Sequence, residues 1–321
     1  MFILNRIIHL NFHNFFKVYK NIKKKSSKGN LYLFLDIIYC GIIYKEGYND
    51  YYLFEMYNLT NDERKNIITR GFNNSLVKKL NNPNFNHFFS NKNEFNDYFN
   101  KYLNRDYLYL NNEEDFYSFA NKHHIVIAKP LNLSCGKNIK KINIFPNEKS
   151  YNYLLNNQLM LLEEVIKQHN KINEIYPFST NSIRIVTINH HVIFARFRIG
   201  NGENIVDNFN HGGMVCNVDI NSGKVISPAV DKNGNLFYRH PVTNKEIFGF
   251  NIPKWNEIIS LCEKISYLIP EIKYVGWDIA VGNDKLYVIE GNEYPGHDIY
   301  ELPALRNGKI GNKDLIIKFI D

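Results

Sequence analysis

The stretch VGWDIAVGNDKLYVIEGNEYPGH, residues 275–297, decides how this chain is read. Two short apolar runs flank a Gly-Asn-Asp turn, the pattern of a β-hairpin. Glu290 and Asn292 lie two apart on the second run and therefore share a face. A three-residue loop over Asn283–Lys285 sets Asp278 directly opposite Glu290, with Cβ atoms about 4.5–5.5 Å apart. Opposed carboxylates repel each other, so the pair is either a solvated hairpin face or the wall of a cation site. Two carboxylates and an amide oxygen are hard ligands that suit Mg²⁺, with phosphate oxygens completing its shell.

Working back from the hairpin, residues from 125 onward read as β runs: IVIAKP, KKINIF, MLLEEVI, SIRIVTI, HVIFARFRI, YVGWDIAV and KLYVIEG. One helix, PKWNEIISLCEKISYLIP, interrupts them between two prolines. The first run ends at Lys129, which either snorkels to the surface or is held where the strand stops. A loop with Ser134, Cys135, Gly136 and Lys137 follows it. Small residues there let backbone N–H groups approach phosphate oxygens, with lysines supplying charge. It is not a P-loop, since no G-x-x-x-x-G-K-[ST] occurs. Glu163 and Glu164 interrupt a later apolar run, and Arg184 sits mid-strand, where a solvent face is the ordinary location. Arg196 and Arg198 share one side of their strand. The loop after them presents Asp207, Asn208, His211 and the paired glycines Gly212 and Gly213, which permit close backbone approach to a ligand.

The 321 residues, 44% of them hydrophobic, suffice for a sizeable core in one large or two closely associated domains. The net charge of +7 is local. Seven of the 39 basic residues precede the first acidic one, Asp36, and the remainder of the chain balances 32 against 32. Apolar residues recur at helical spacing in this arm, so it is read either as a helix packed on the domain with a solvated lysine face or as a basic amphipathic helix at an anionic membrane surface. No basic stripe with interleaved aromatics continues into the body, which argues against nucleic acid. No run of eighteen apolar residues and no small-residue cleavage site occurs, so the expected location is cytoplasmic, with the inner membrane face as the arm's contact. The four scattered cysteines form neither a disulfide framework nor a zinc site. Residues 31–120 give mainly short helical patterns.

Taken in order, the strand lysine with its small-residue loop, the acidic pair, the strand arginines, DNFNHGG and the Asp…Glu-x-Asn hairpin resemble the ATP-grasp superfamily. The blocks EGYNDYYLFEMYNLTNDERKNIIT, AKPLNLSCGKNI, LLEEVIKQHNKINEIYPFSTNSIRIVT, VDNFNHGGMVCNVDINSGKV, RHPVTNKEIFGFNIPKW and VGWDIAVGNDKLYVIEGN resemble, more closely, the sugar-transfer-associated ATP-grasp family found with bacterial exopolysaccharide and capsule genes. The resemblance implies an α+β, ATP-grasp fold, two α+β lobes clasping ATP, preceded by a mainly helical N-terminal region. It divides the chain into an arm (1–30), a helical region (31–90) and an ATP-grasp domain (91–321) with lobes at about 120–165 and 166–321.

The same resemblance implies ATP and two Mg²⁺ ions as cofactors. Lys92, Lys129, Ser134, Gly136 and Lys137 would hold phosphates, Glu163 and Glu164 adenine and ribose, and Asp278, Glu290 and Asn292 the metal. It implies a ligase joining a carboxylate, on a small molecule or a glycan, to an amine through an acyl phosphate. Many amino-acid ligases of the superfamily carry an arginine two residues before the metal Asp, where this chain has Gly276. That duty falls to Arg184, Arg196 or Arg198, with Asn208 in the loop over the reacting carboxylate and His211 or His240 as the base. A kinase acting on a hydroxyl, or a nucleotide-binding scaffold at the membrane, are the alternatives.

Overall fold

All seven β runs named above are strands, because apolar alternation lets each present one face to a core. The computed structural model describes residues 11–131, 138–202 and 207–320. It forms two compact units that do not follow chain order. Met1–Asn81 associates with Pro295–Asp321, while Asn82–Tyr294 forms the second unit, whereas the reading of the sequence divided the chain at residues 30 and 90. The mixed helix-and-sheet class and the helical start of the chain are as expected.

The second unit holds two antiparallel sheets. The smaller runs in the order β1 (Tyr107–Tyr109), β4 (Leu161–Glu164), β2 (Ile125–Lys129) and β3 (Lys140–Asn143). Helices Glu113–Lys122 and Glu148–Asn156 bury Phe116, Ala120 and Leu154 with Val126, Ala128 and Leu162 of the sheet. The larger sheet runs in the order β11 (Leu286–Asn292), β10 (Tyr274–Val281), β5 (Ser182–Ile188), β6 (His191–Ile199), β7 (Met214–Asn217), β8 (Ala229–Val230) and β9 (Leu236–Phe237). One of its faces, with Ile183, Ile185, Ala195, Phe197, Trp277 and Ile279, packs on the helix Trp255–Ser266 through Ile258, Cys262 and Ile265. Since strand side chains alternate, the intervening residues Arg184, Arg196, Arg198 and Asp278 all turn to the opposite face.

The hairpin reaches its predicted pairing by an unpredicted route. The four residues Gly282–Lys285 connect the strands, with the Gly282 N–H donating to the Lys285 carbonyl at 2.9 Å. Ile279 then pairs with Val288, yet Asp278 pairs with Glu290, so Ile289 is an extra residue, a β-bulge. Without it, Val288 and Glu290 would share a face. With it, Leu286 and Val288 stay in the core while Glu290 and Asn292 turn toward Asp278, and Gly291 faces the core against Phe89 and Trp277.

The first unit is helical. Phe12–Lys25, Asn30–Ile43 and Tyr48–Leu53 surround Phe15, Ile22, Leu33, Ile37, Tyr51 and Phe54. Inside it, Arg64 grips the buried Asp36 with Nη1 and Nη2 at 2.7 and 2.6 Å. The final segment is bound by Glu301, whose Oε1 accepts the N–H groups of Ile68 and Asn312 at 3.0 and 2.9 Å. Among the described residues no helix is long and apolar enough to cross a membrane.

Candidate functional site

Register alone assembles a row of polar side chains across five strands. Glu290 pairs with Asp278, Asp278 with Arg184, Arg184 with Arg196, and Arg196 with Asn217. Lateral partners on one face lie within side-chain reach. The Arg184 Nε and Nη2 donate to the two Asp278 carboxylate oxygens at 2.5 and 2.9 Å. Arg198, one pleat along β6, reaches diagonally so that its Nη1 donates to Asp278 Oδ2 at 2.8 Å, while its Nη2 lies 3.1 Å from Asp207 Oδ1. Burial acts to raise the Asp278 carboxyl, but these two guanidiniums outweigh it and hold the group well below the usual carboxylate range. Glu290 is the converse case. Its side chain is solvent-accessible, yet the protein crowding it raises its carboxyl, and the Asp278 charge raises it further. The Asn292 amide nitrogen stands 3.4 Å from Glu290 Oε1.

A second constellation joins the two sheets of this unit. Lys129 ends β2 with its Nζ 2.6 Å from Glu163 Oε2, and Arg105 Nη2 donates to Glu163 Oε1 at 3.0 Å. Glu163 is buried, and although burial opposes ionisation the two cations hold its carboxyl down to about 2. Lys92, at the start of the helix Lys92–Tyr98, donates to the Leu131 carbonyl at 3.1 Å; partial burial and the Lys129 charge both lower its ammonium.

Arg105 is the residue of this constellation that the sequence does not reveal. The helix Asn100–Leu103 ends on Asn104 in the left-handed conformation, which delivers both side chains to the open edge of β11. Asn104 Nδ2 donates to the Leu286 carbonyl at 2.8 Å. Arg105 donates to the Val288 and Ile289 carbonyls at 2.5 and 3.1 Å. Its guanidinium therefore braces the bulge that aims Glu290, while the same group holds Glu163 and, through it, Lys129. Sequence offers no spacing rule for such a contact, only an arginine behind an Asn able to cap a short helix.

Glu164 is half-buried and accepts the Asp106 N–H at 3.1 Å. Arg196 is buried and donates to Asn217 Oδ1 at 2.6 Å, away from Asp278. Asn208 caps the short turn Phe209–His211 by accepting the Asn210 N–H at 2.9 Å, and His211 ends that turn half-buried. The paired glycines answer to their own loop: Gly212 has φ 95°, and a Cβ on Gly213 would lie 2.2 Å from the Asp207 carbonyl oxygen. His240 is buried with Nε2 2.9 Å from the Gly200 carbonyl and Nδ1 3.2 Å from the Val242 N–H, so both ring nitrogens hold loops together. Ser134, Gly136 and Lys137 lie outside the described residues.

A sequence model of the sugar-transfer associated ATP-grasp family matches residues 148–309. Among solved structures, the chain is similar to the ATP-grasp ligase PsnB complexed with a phosphomimetic variant of minimal precursor, Mg and ADP, with TM-score 0.47 and 14% identity over 75% of this chain and 60% of that one. It is similar to the macrocyclase MdnC bound with the precursor peptide MdnA from Microcystis aeruginosa MRC, with TM-score 0.39 and 14% identity over 81% of this chain and 72% of that one. It is also similar to D-alanine–D-alanine ligase from Bacillus anthracis, with TM-score 0.40 and 11% identity over 73% and 66% of the two chains. The chain thus spans 60% of the length of PsnB. No curated protein matches it.

Proposed function

The chain belongs to the sugar-transfer associated ATP-grasp family, and on that premise we propose that it is an ATP-dependent carboxylate–amine ligase acting on a sugar acid or amino acid for capsule or exopolysaccharide synthesis. The α+β, ATP-grasp fold with a helical region before the sheets follows from that membership. The observation that carries the reading is the row Glu290–Asp278–Arg184 on one sheet face, with Lys129 and Lys92 facing it electrostatically.

The donor set fits a hard divalent cation. Asp278 and Glu290 are paired across two strands and the Asp278 charge raises the cost of ionising Glu290, a repulsion a divalent ion relieves. Asp278, Glu290 and Asn292 would hold two Mg²⁺, with Lys92, Lys129 and the loop containing Ser134, Gly136 and Lys137 at the phosphates of ATP. Bound there, Mg²⁺ and ATP supply charge neutralisation and a transferable phosphoryl group that activates a carboxylate.

The chain's own residues position and stabilise. Arg184 and Arg198 present guanidinium donors to the oxyanion that develops, the duty for which Gly276 has no side chain. Glu163 orients Lys129 rather than offering a free carboxylate, so contact with the adenine and ribose passes to Glu164. Asn208 shapes the loop over the carboxylate, and His211, half-buried at the end of the turn that Asn208 caps, accepts the amine's proton. The chain's place is the cytoplasm, with residues 1–28 in contact with the inner membrane face.

Incubation with ATP, Mg²⁺, candidate uronic or amino acids and amines tests the reading. ADP and phosphate release that requires both acid and amine supports ligation. ADP without phosphate would replace the ligase by a kinase, and no turnover in any mixture would leave a nucleotide-binding scaffold.

A further inference from the structure

The helix Asn30–Ile43 has an exposed face that a soluble protein rarely shows. Its single charged side chain, Asp36, is buried against Arg64 and Tyr51. Leu33, Ile37 and Cys40 face the core of the first unit. On the opposite side Leu31, Leu35, Ile38 and Ile42 form a stripe at helical spacing, with Leu31 71% and Leu35 54% exposed. Tyr32, Tyr39 and Ile43 widen it. Phe34, in edge contact with Phe15 and Tyr19, joins it to the preceding helix, where Phe12 and Phe16 are also exposed. So many large, exposed apolar side chains on one face are uncommon on a soluble monomer and mark an interaction surface.

We infer that this face is a docking surface for an anionic lipid bilayer, with the helix lying in the interface plane. At 14 residues the helix is about 21 Å long, too short for the roughly 30 Å hydrocarbon core. Along residues 11–49 the exposed charge has one sign. Lys17, Lys20, Lys23, Lys24, Lys25 and Lys28 are exposed, while the two carboxylates between residues 11 and 49, Asp36 and Glu46, are both buried. Lys28 Nζ sits 4.9 Å from the Tyr32 ring centroid, at the border where apolar face meets basic rim. Tyrosine and lysine together at such a border match the headgroup region, where lysines are attracted to an anionic surface. A second copy of this chain fits less well, because a two-fold interface would set one lysine rim against the other. The inference rests on the membrane placement proposed above and moves the inserting element from the arm to the helix after it.

Co-sedimentation of the full chain with vesicles tests it. Wild type should pellet with phosphatidylcholine vesicles containing one third phosphatidylglycerol, far less with phosphatidylcholine alone, and less as salt rises. Leu35→Glu/Ile38→Glu, both exposed positions, should lower partition about tenfold or more with circular dichroism and nucleotide binding unchanged; Leu31→Asp should act in the same direction. Wild-type partition of all these variants alongside loss for Lys23→Gln/Lys24→Gln would overturn the helix and keep the arm. Absence of wild-type binding to either vesicle would overturn both. A wild-type dimer in solution that Leu35→Glu/Ile38→Glu dissociates, without vesicle binding, would give the face to a second copy.

Discussion

Arg105→Ala and Arg105→Lys separate the bracing of the site from its chemistry, because Arg105 occupies no position facing a ligand in the proposed mechanism. The alanine variant deletes the hydrogen bonds to Glu163, Val288 and Ile289 and leaves Glu163, a buried carboxylate, with Lys129 as its remaining cation. Removing one member of a buried ion pair costs about 3–5 kcal/mol, and each stranded carbonyl about 1–3 kcal/mol before the site relaxes. A large drop in melting temperature is expected. The lysine variant keeps the charge but not the planar fork, which alone spans Glu163 and two backbone carbonyls. It should stay folded while the bulge loosens and Lys129 shifts. Misplacement on the order of 1 Å costs about a hundredfold where geometry is used. Calorimetric titration with AMPPNP at fixed Mg²⁺ is the assay: the dissociation constant of Arg105→Lys should rise about tenfold to a hundredfold, with a higher half-saturating Mg²⁺, since both the lysine and the Glu290 ends are disturbed. A folded Arg105→Lys protein with the wild-type affinity and Mg²⁺ dependence would refute the bracing role.

Glu290→Gln should abolish turnover and Mg²⁺-dependent nucleotide affinity while leaving the melting temperature equal or higher, because it relieves the repulsion with Asp278. Mg²⁺ alone should bind about tenfold to a hundredfold more weakly than in the presence of nucleotide, since Asp278 is already neutralised by two guanidiniums; equal affinities in a Mg²⁺ titration with and without ADP would contradict this. Cys135→Ser should retain full activity, as no protein nucleophile enters the proposed reaction. In the first unit, burial pulls the His297 imidazole down, but Asp50 and Glu46, 3.5 and 3.8 Å from its Nε2, outweigh that and push it up to about 9. Its raised value contributes stability that is complete below about 6.5 and lost as pH rises through about 9, so melting temperature should fall across that window in wild type and flatten in His297→Gln.

The hairpin was legible because alternation and a Gly-Asn-Asp turn are local signals, and they place Asp278 opposite Glu290 as observed. The bulge was not, because Ile289 is an ordinary apolar residue whose extra place shows only against a partner strand. Alternation likewise put Arg196 and Arg198 on one side, while β7 was too short a run to be recognised, so the Asn217 that engages Arg196 went unseen. Gly212 and Gly213 carry a glycine requirement that sequence shows without its reason: room for a ligand and a tight internal turn look alike. Arg105 and the final segment illustrate a stronger limit. The acceptors on β11 and the carboxylate Glu163 lie far along the chain from Arg105, and Glu301 reaches back to Ile68; nothing in local composition encodes such pairs.

The charges of the candidate site are arranged in pairs, and under the proposed function those pairs govern how ligands enter. Glu163 is balanced by Lys129 and Arg105, Asp278 by Arg184 and Arg198, and Asp207 by Arg198. Among the described residues Glu290 is the carboxylate of the row that forms no ion pair, which under the proposed function makes it the open end toward an arriving cation. The same guanidiniums cannot serve Asp278 and an incoming anion in full at once. Arg184 and Arg198 leave Asp278 at low cost only when another anion replaces it, and Asp278 becomes a full ligand only when they have left. Under the proposed function, cation and anion affinities would therefore be linked through shared side chains, and by reciprocity each would strengthen the other by the same factor. A list of the residues, however complete, contains the acids and the bases of this site but not that exchange, which follows from two arginines, one on the strand paired with that of Asp278 and one on the next strand over, closing on a single aspartate.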